Sequence, residues 1–106
     1  MSSPAAATGT IPVEVVAWVT KLVGGDGVGR RVFEEPLGPG ATVRSVLRAL
    51  SARFPELAAA LWHGPELGEH IEVLVKDAVL GVTHQLDSEL RPGDSITLLG
   101  QFMGGA

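Results

Sequence analysis

The chain has 106 residues, a net charge of −4 and no cysteine. This length predicts a single domain. The lack of cysteine excludes disulfides, thiolate catalysis and iron–sulfur ligation, and the lack of any Lys and Arg cluster beyond the pair Arg30–Arg31 argues against nucleic acid as a partner.

The N-terminal segment, residues 1–10, consists mostly of small residues, MSSPAAATGT. It has no basic stretch followed by a long apolar run, as a secretory signal would have, so we expect a flexible arm. No apolar stretch approaches the length that spans a bilayer. These features predict a cytoplasmic protein without a membrane partner.

Residues 11–23, IPVEVVAWVTKLV, are rich in β-branched residues and predict a strand. The glycine-rich segment that follows, GGDGVG at 24–29, lacks the glycine spacing of a dinucleotide-binding loop. It also lacks the Lys-Ser/Thr pair of a phosphate-binding loop. It therefore predicts a hairpin loop whose glycines adopt positive φ. Residues 30–37 form the predicted returning strand, which Pro36 ends.

Residues 38–54 change to helical periodicity, with Thr42 as the predicted N-cap. The apolar face of this helix consists of Val43, Val46, Leu47, Leu50 and Phe54. Arg44, Arg48 and Ser51 are predicted on the solvent side. Pro55 either stops this helix or begins a second helical turn.

A polar loop at 63–70 precedes an alternating strand at 71–77, and a short strand or turn is expected within 78–85. The sequence Arg91-Pro92-Gly93-Asp94 predicts a tight turn before a final strand from Ser95 to Leu99. The order of elements predicts an α+β domain in which a mixed sheet packs on one main helix.

Other groups of functional residues are weakly supported. His63, His70 and His84 have no cysteine beside them and no shared helix face, so no metal site is predicted. Glu34 and Glu35 are neighbours on a strand and should face opposite ways. Arg44 and Arg48 could meet an acidic partner, although a solvated helix face is the simpler interpretation.

Four stretches of the sequence, GATVRSVLRALSARFPELAAAL, HIEVLVKD, LRPGDSITLL and the final Gly104–Gly105, occur in this order along the chain. Together they resemble the MoaD/ThiS-type sulfur-carrier proteins, which have the ubiquitin-like β-grasp fold. The resemblance implies a β-grasp domain at 11–102 and a flexible diglycine tail at 103–106. The iron–sulfur ferredoxins share this topology but need the cysteines that the chain lacks.

The resemblance also implies a function without catalysis by the chain itself. Gly105 would carry the adenylate and then the thiocarboxylate. Gly104, which has no Cβ, would fit the narrow channel that leads to the partner's active site, and Phe102 and Met103 would contact the partner. The implied partners are a ubiquitin-activating-type adenylating enzyme, which uses ATP, and a sulfur-acceptor synthase. No permanently bound cofactor is expected.

The sequence departs from the family pattern at its end, because Ala106 follows the diglycine and GQFM precedes it. Ala106 suggests a precursor that a metalloprotease processes; a cloning remnant or a non-carrier descendant are the alternatives. A ubiquitin-like binding module and a lysine-conjugated modifier also remain open. The sulfur acceptor is open between molybdopterin and other products, with the chain length favouring the MoaD-like branch.

Overall fold

The computed structural model describes residues 9–100, which form seven strands, two α-helices and a 3₁₀ helix. The long strands are β1 (Thr10–Val16), β2 (Arg30–Pro36), β5 (Ile71–Val75) and β7 (Ile96–Gly100). The short strands are β3 (Trp62–His63), β4 (Glu66–Leu67) and β6 (Ala78–Val79). The helices are the 3₁₀ helix Ala17–Val23, α1 (Val43–Ala52) and α2 (Pro55–Leu61).

Five strands form one mixed sheet in the order β2-β1-β7-β5-β6. The central strand β7 runs parallel to β1 and antiparallel to β5, while β1 and β2 form an antiparallel pair. The core lies between the inner face of this sheet and the two α-helices. This architecture confirms the predicted α+β class with a mixed sheet on one main helix.

Helix α1 begins where the sequence predicts. The Thr42 hydroxyl accepts a hydrogen bond from the Ser45 N–H, and the Ser45 hydroxyl accepts one from the Thr42 N–H, which makes a reciprocal capping box. Leu47 and Leu50 are fully buried on the core face, and burial of each contributes about 1.5–3 kcal/mol. Pro55 begins α2 at the first helical position, which is the second of the two predicted alternatives.

The prediction that residues 17–23 continue the first strand is wrong. The chain turns at Ala17, which has φ +58°, and then forms the 3₁₀ helix. The β-branched residues of this segment match strand propensity, but Thr20 and Val23 are buried at the three-residue spacing of a 3₁₀ helix, with Val19 buried beside Thr20. Tertiary packing has therefore overridden local propensity at the end of β1.

The loop that follows agrees with its prediction, since Gly24, Gly27 and Gly29 have φ between 69° and 92°.

Glu34 and Glu35 also point to opposite sides of β2, as predicted. Glu34 is exposed, whereas Glu35 is buried and accepts two hydrogen bonds from the Arg53 guanidinium. These hydrogen bonds raise the pKa of Arg53 and tie β2 to the end of α1.

The prediction that Ser51 lies on the solvent side is also wrong. Its hydroxyl is buried, donates to the Leu47 carbonyl and accepts a hydrogen bond from the Trp62 indole N–H at 3.0 Å. Trp62 belongs to the small hairpin formed by β3 and β4, which covers this part of α1. A polar residue on a helix can thus face a neighbouring element instead of water.

Arg44 and Arg48 hold the same hairpin. Arg44 donates to both carboxylate oxygens of Asp87 and to the Pro65 carbonyl, which raises the pKa of Arg44 and lowers that of Asp87. Arg48 stacks 3.8 Å from the centre of the Trp62 ring. Both arginines bind other parts of this chain, so their predicted role as purely solvated charges is incomplete.

The helices within residues 9–100 are all too short to cross a membrane.

The turn between β5 and β6 contains two non-glycine residues in the left-handed region, Lys76 at φ 51° and Asp77 at φ 70°. We expect Asp77→Gly to raise the free energy of unfolding by about 0.5–1 kcal/mol, because glycine adopts this region without steric cost. Chemical denaturation followed by circular dichroism measures the change. The matched control is Ala78→Gly in the neighbouring strand, which should destabilise by about the same amount. A loss of stability in Asp77→Gly would show that the aspartate side chain itself holds the turn.

Candidate functional site

The strand that leads to the diglycine lies at the centre of the sheet. β7 is hydrogen-bonded on both sides, to β1 and to β5, and ends at Gly100, which faces Ile71. Gly105 is five residue steps beyond Gly100, and a segment of this length reaches at most about 17 Å when fully extended. The sequence that carries the candidate acyl group is therefore attached to the central strand of the sheet.

The end of β7 is in contact with Trp18. Because β1 and β7 are parallel, their C-terminal ends lie at the same end of the sheet. The 3₁₀ helix that follows β1 brings the Trp18 indole against Gly100. A Cβ atom at Gly100 would lie within 2.8 Å of Trp18 Cζ2 and would overlap the indole nitrogen. Any side chain at the point where the chain leaves the sheet would therefore require the indole to move.

The outer face of the sheet, the side away from the helices, is the second part of the site. Two rows of side chains cross it, and one row reads Arg30, Val16, Leu99, Glu72 from β2 to β5. The other row reads Val32, Glu14, Thr97, Leu74, Val79 from β2 to β6.

Several apolar side chains on this face stay in contact with solvent. Val32 is 52% exposed, Val79 is 43% exposed and Leu99 is 39% exposed. Arg30 and Glu14 form a surface ion pair at 2.9 Å beside them. Such a mixed apolar and charged face beside the end of β7 is suited to contact with another protein.

The residues that the resemblance assigns to the chemistry lie outside the described part of the chain. These are Phe102, Met103, Gly104, Gly105 and Ala106. Their assignment remains a prediction, and the structure contributes the strand, the exit point and the neighbouring surface.

The three histidines do not form one site. His63 and His70 line the same hollow, of about 390 Å³, between the end of α2 and the β3–β4 hairpin. His84 lies elsewhere, with Nδ1 3.0 Å from the Thr83 hydroxyl and Nε2 3.8 Å from a carboxylate oxygen of Asp94. Within residues 9–100, no group of three or more His, Asp or Glu side chains is arranged to hold a metal ion.

Sequence reasoning missed the contact between Trp18 and Gly100. The signal was present, since a glycine at the end of an apolar strand often marks a close approach of another group. The partner of that glycine could not be found from the sequence, because residues 17–23 have strand-like composition. Only the turn at Ala17 brings Trp18 to the end of β7.

No protein-family model matches the chain, and no curated protein sequence is significantly similar to it. Solved structures do match. SAMP1 from Haloferax volcanii superposes with a TM-score of 0.72 at 24% identity, covering 92% of this chain and 100% of that chain.

Two further structures have slightly higher sequence identity. The HVO 2177 protein of Haloferax volcanii has a TM-score of 0.65 at 26% identity, covering 92% of this chain and 89% of that one. A chain of the BexX/CysO complex from Amycolatopsis orientalis has a TM-score of 0.65 at 26% identity, covering 88% of this chain and 99% of that one. The fold is thus a ubiquitin-like β-grasp, and the resemblance to the sulfur-carrier type seen in the sequence is confirmed.

The contact between Gly100 and Trp18 gives a test of this exit point. We expect Gly100→Ala to lower the free energy of unfolding by about 1–3 kcal/mol, because the added methyl group overpacks against the indole. The same substitution in a Trp18→Ala background should cost much less, so the double-mutant cycle should show strong coupling. Urea denaturation provides all four values.

Gly38→Ala is the matched control. Gly38 has no heavy atom within 4 Å of an added Cβ and does not need positive φ, so the change should be neutral or stabilise by up to about 1 kcal/mol. Additive effects of Gly100→Ala and Trp18→Ala would show that the indole does not restrict this position.

Proposed function

We propose that this β-grasp protein is a sulfur carrier whose Gly105 carboxylate becomes a thiocarboxylate. The single observation that carries the proposal is the placement of β7 at the centre of the five-stranded sheet, with the diglycine sequence within about 17 Å of its end. The similar solved structures support the general part of this proposal, that the chain is a small carrier or modifier and not itself a catalyst.

The chemistry requires a free carboxylate on Gly105, so removal of Ala106 comes first. Hydrolysis of the Gly105–Ala106 peptide bond releases alanine and leaves the carboxylate. A carboxylate oxygen then attacks the α-phosphorus of ATP in the adenylating enzyme, forming the acyl adenylate and releasing pyrophosphate. Sulfide adds to the acyl carbon and expels AMP, which leaves the thiocarboxylate.

The glycine pair fits this sequence of steps because it has no Cβ atoms. Its backbone can enter a narrow channel and adopt whatever φ the channel requires. Ordering such residues costs about 1–2 kcal/mol each, which contact between the folded body and the enzyme must offset. We assign that contact to the outer sheet face around Leu99 and Val16, together with Phe102 and Met103.

The partners follow from these steps. They are a ubiquitin-activating-type adenylating enzyme that uses ATP, a metalloprotease that removes Ala106, and a synthase that accepts the sulfur in cofactor or metabolite biosynthesis. The match to a chain of the BexX/CysO complex supports a partner of the sulfur-transfer kind.

A second candidate function is conjugation to other proteins. Two matching structures, from Haloferax volcanii and from Methanosarcina acetivorans, are each described as a small archaeal modifier protein 1. The same acyl adenylate could pass to a lysine amine and form an isopeptide bond instead of a thiocarboxylate. The product distinguishes the two functions.

The direct test is intact mass after co-expression with an adenylating enzyme, a protease of this type and a sulfur source. We expect a species that has lost alanine and has exchanged one oxygen for sulfur. Gly104→Val should reduce its formation by about 100-fold, because a branched side chain misplaces the acyl carbon, while thermal unfolding of the folded body stays unchanged. Gly38→Ala is the control and should be processed like the parent chain. A Gly104→Val chain that gains sulfur at the parental rate contradicts the assignment.

Deleting residues 103–106 separates the carrier from a binding module that acts through its sheet alone. We expect the shortened chain to unfold at the same denaturant concentration as the full chain and to lose all sulfur transfer. Retention of both partner binding and biological activity after the deletion would favour the binding module. Denaturation curves and a reconstituted transfer assay provide the two readouts.

A further inference from the structure

The edge of β5 is left partly uncovered by the short strand beside it. β6 pairs only with Leu74 and Val75, and the Leu80 N–H extends this contact by one bond to the Val73 carbonyl. The chain then turns away at Gly81, which has φ +103°. The first part of β5, at Ile71, therefore has no neighbouring strand on this side within the described residues.

The direction of the backbone groups at Ile71 follows from the register. The Lys76 N–H donates to the Ser95 carbonyl just before β7, whereas the Val73 carbonyl accepts from Leu80 on the opposite side. Because these directions alternate along a strand, the N–H and carbonyl of Ile71 point toward the uncovered edge. Unpaired groups at a strand edge are a template for another strand.

Two adjoining hollows form a groove along this edge, which we call the β5 groove. The first, of about 390 Å³, extends from Leu67 to Leu80 along Ile71 and Val73; the second, of about 250 Å³, continues past Leu80 to Leu86. Leucine and valine side chains thus line a path that continues the direction of β6. A groove of this kind accepts alternate side chains of an extended segment.

The charged residues that line the β5 groove have one sign. They are Glu66, Glu69 and Glu72, and none of the lining residues is Lys, Arg or His. Arg44 lies near Glu66, outside the lining, and is bound to both oxygens of Asp87 and to the Pro65 carbonyl. The groove therefore favours a segment that carries positive charge.

We propose that the β5 groove binds an extended segment of a partner protein in which apolar residues alternate with Lys or Arg. The segment adds to the sheet as a strand beside Ile71, places its apolar side chains against Leu67 and Leu80, and directs its cations toward Glu69. The β5 groove shares Glu72 and Val79 with the outer sheet face but does not involve the diglycine tail, so the proposal does not depend on the sulfur-carrier function.

The test uses the full chain and a capped peptide of sequence Lys-Val-Lys-Val-Lys-Val. We expect a dissociation constant below about 1 mM, with the largest amide shift changes in nuclear magnetic resonance spectra at Ile71 and Val73. The matched peptide Glu-Val-Glu-Val-Glu-Val should bind at least about tenfold more weakly. Equal binding of the two peptides, or shifts centred on Val16 and Leu99, would overturn the proposal.

Strand addition itself is tested by N-methylation. Methyl groups on the three valine nitrogens and on the three lysine nitrogens block opposite edges of the bound peptide. We expect one of these two peptides to lose binding and the other to retain it. Loss or retention by both contradicts pairing with the edge of β5.

The role of the glutamates beside the β5 groove is tested by substitution in the protein. Glu69→Gln should weaken binding of the lysine peptide about two- to fivefold, and Glu56→Gln, at an exposed position on α2, should leave it unchanged. Equal effects of the two substitutions argue against the groove. Shift changes at Ile71 that appear on raising the concentration of the protein alone would identify a second copy of the chain as the occupant, which also overturns the proposal.

Discussion

The parallel pairing of β1 with β7 is the constraint on which the arrangement depends. Parallel neighbours need a long crossover connection, and here β2, both helices and β5 lie between them in the sequence. This connection places the last strand of the described chain in the middle of the sheet instead of at its edge. Gly100 is consequently held by β1 on one side and β5 on the other.

The same pairing explains why the exit from the sheet is crowded. Parallel strands end at the same side, so the segment that follows β1 must pass near the end of β7. The turn at Ala17 and the short 3₁₀ helix place Trp18 there, and any side chain at Gly100 would require the indole to move.

The sequence was informative where local periodicity and packing agree. The cap at Thr42, the alternation in β5 and the turn at Arg91–Asp94 formed as predicted, because each depends on neighbours close in sequence. The apolar face of α1 formed as predicted from Val43 to Leu50, but α1 ends at Ala52 and Phe54 is extended at the start of α2. The 3₁₀ helix and the buried position of Ser51 were not predictable in this way. Both depend on contacts with distant elements, Gly100 in one case and Trp62 in the other.

The parts of the candidate site also differ in whether the sequence alone can predict them. The diglycine is a sequence feature and needs no structure to be noticed, whereas the surfaces that could hold a partner depend on which strands are neighbours. The β5 groove lies along the free edge of β5, one strand away from β7, and adjacent strands are about 4.8 Å apart. A segment bound in the groove would thus run about 10 Å from β7, which is less than the reach of the five residue steps from Gly100 to Gly105. A single partner could therefore hold the body by the edge of β5 while the diglycine enters its active site, and the sheet would fix the distance between that edge and Gly100.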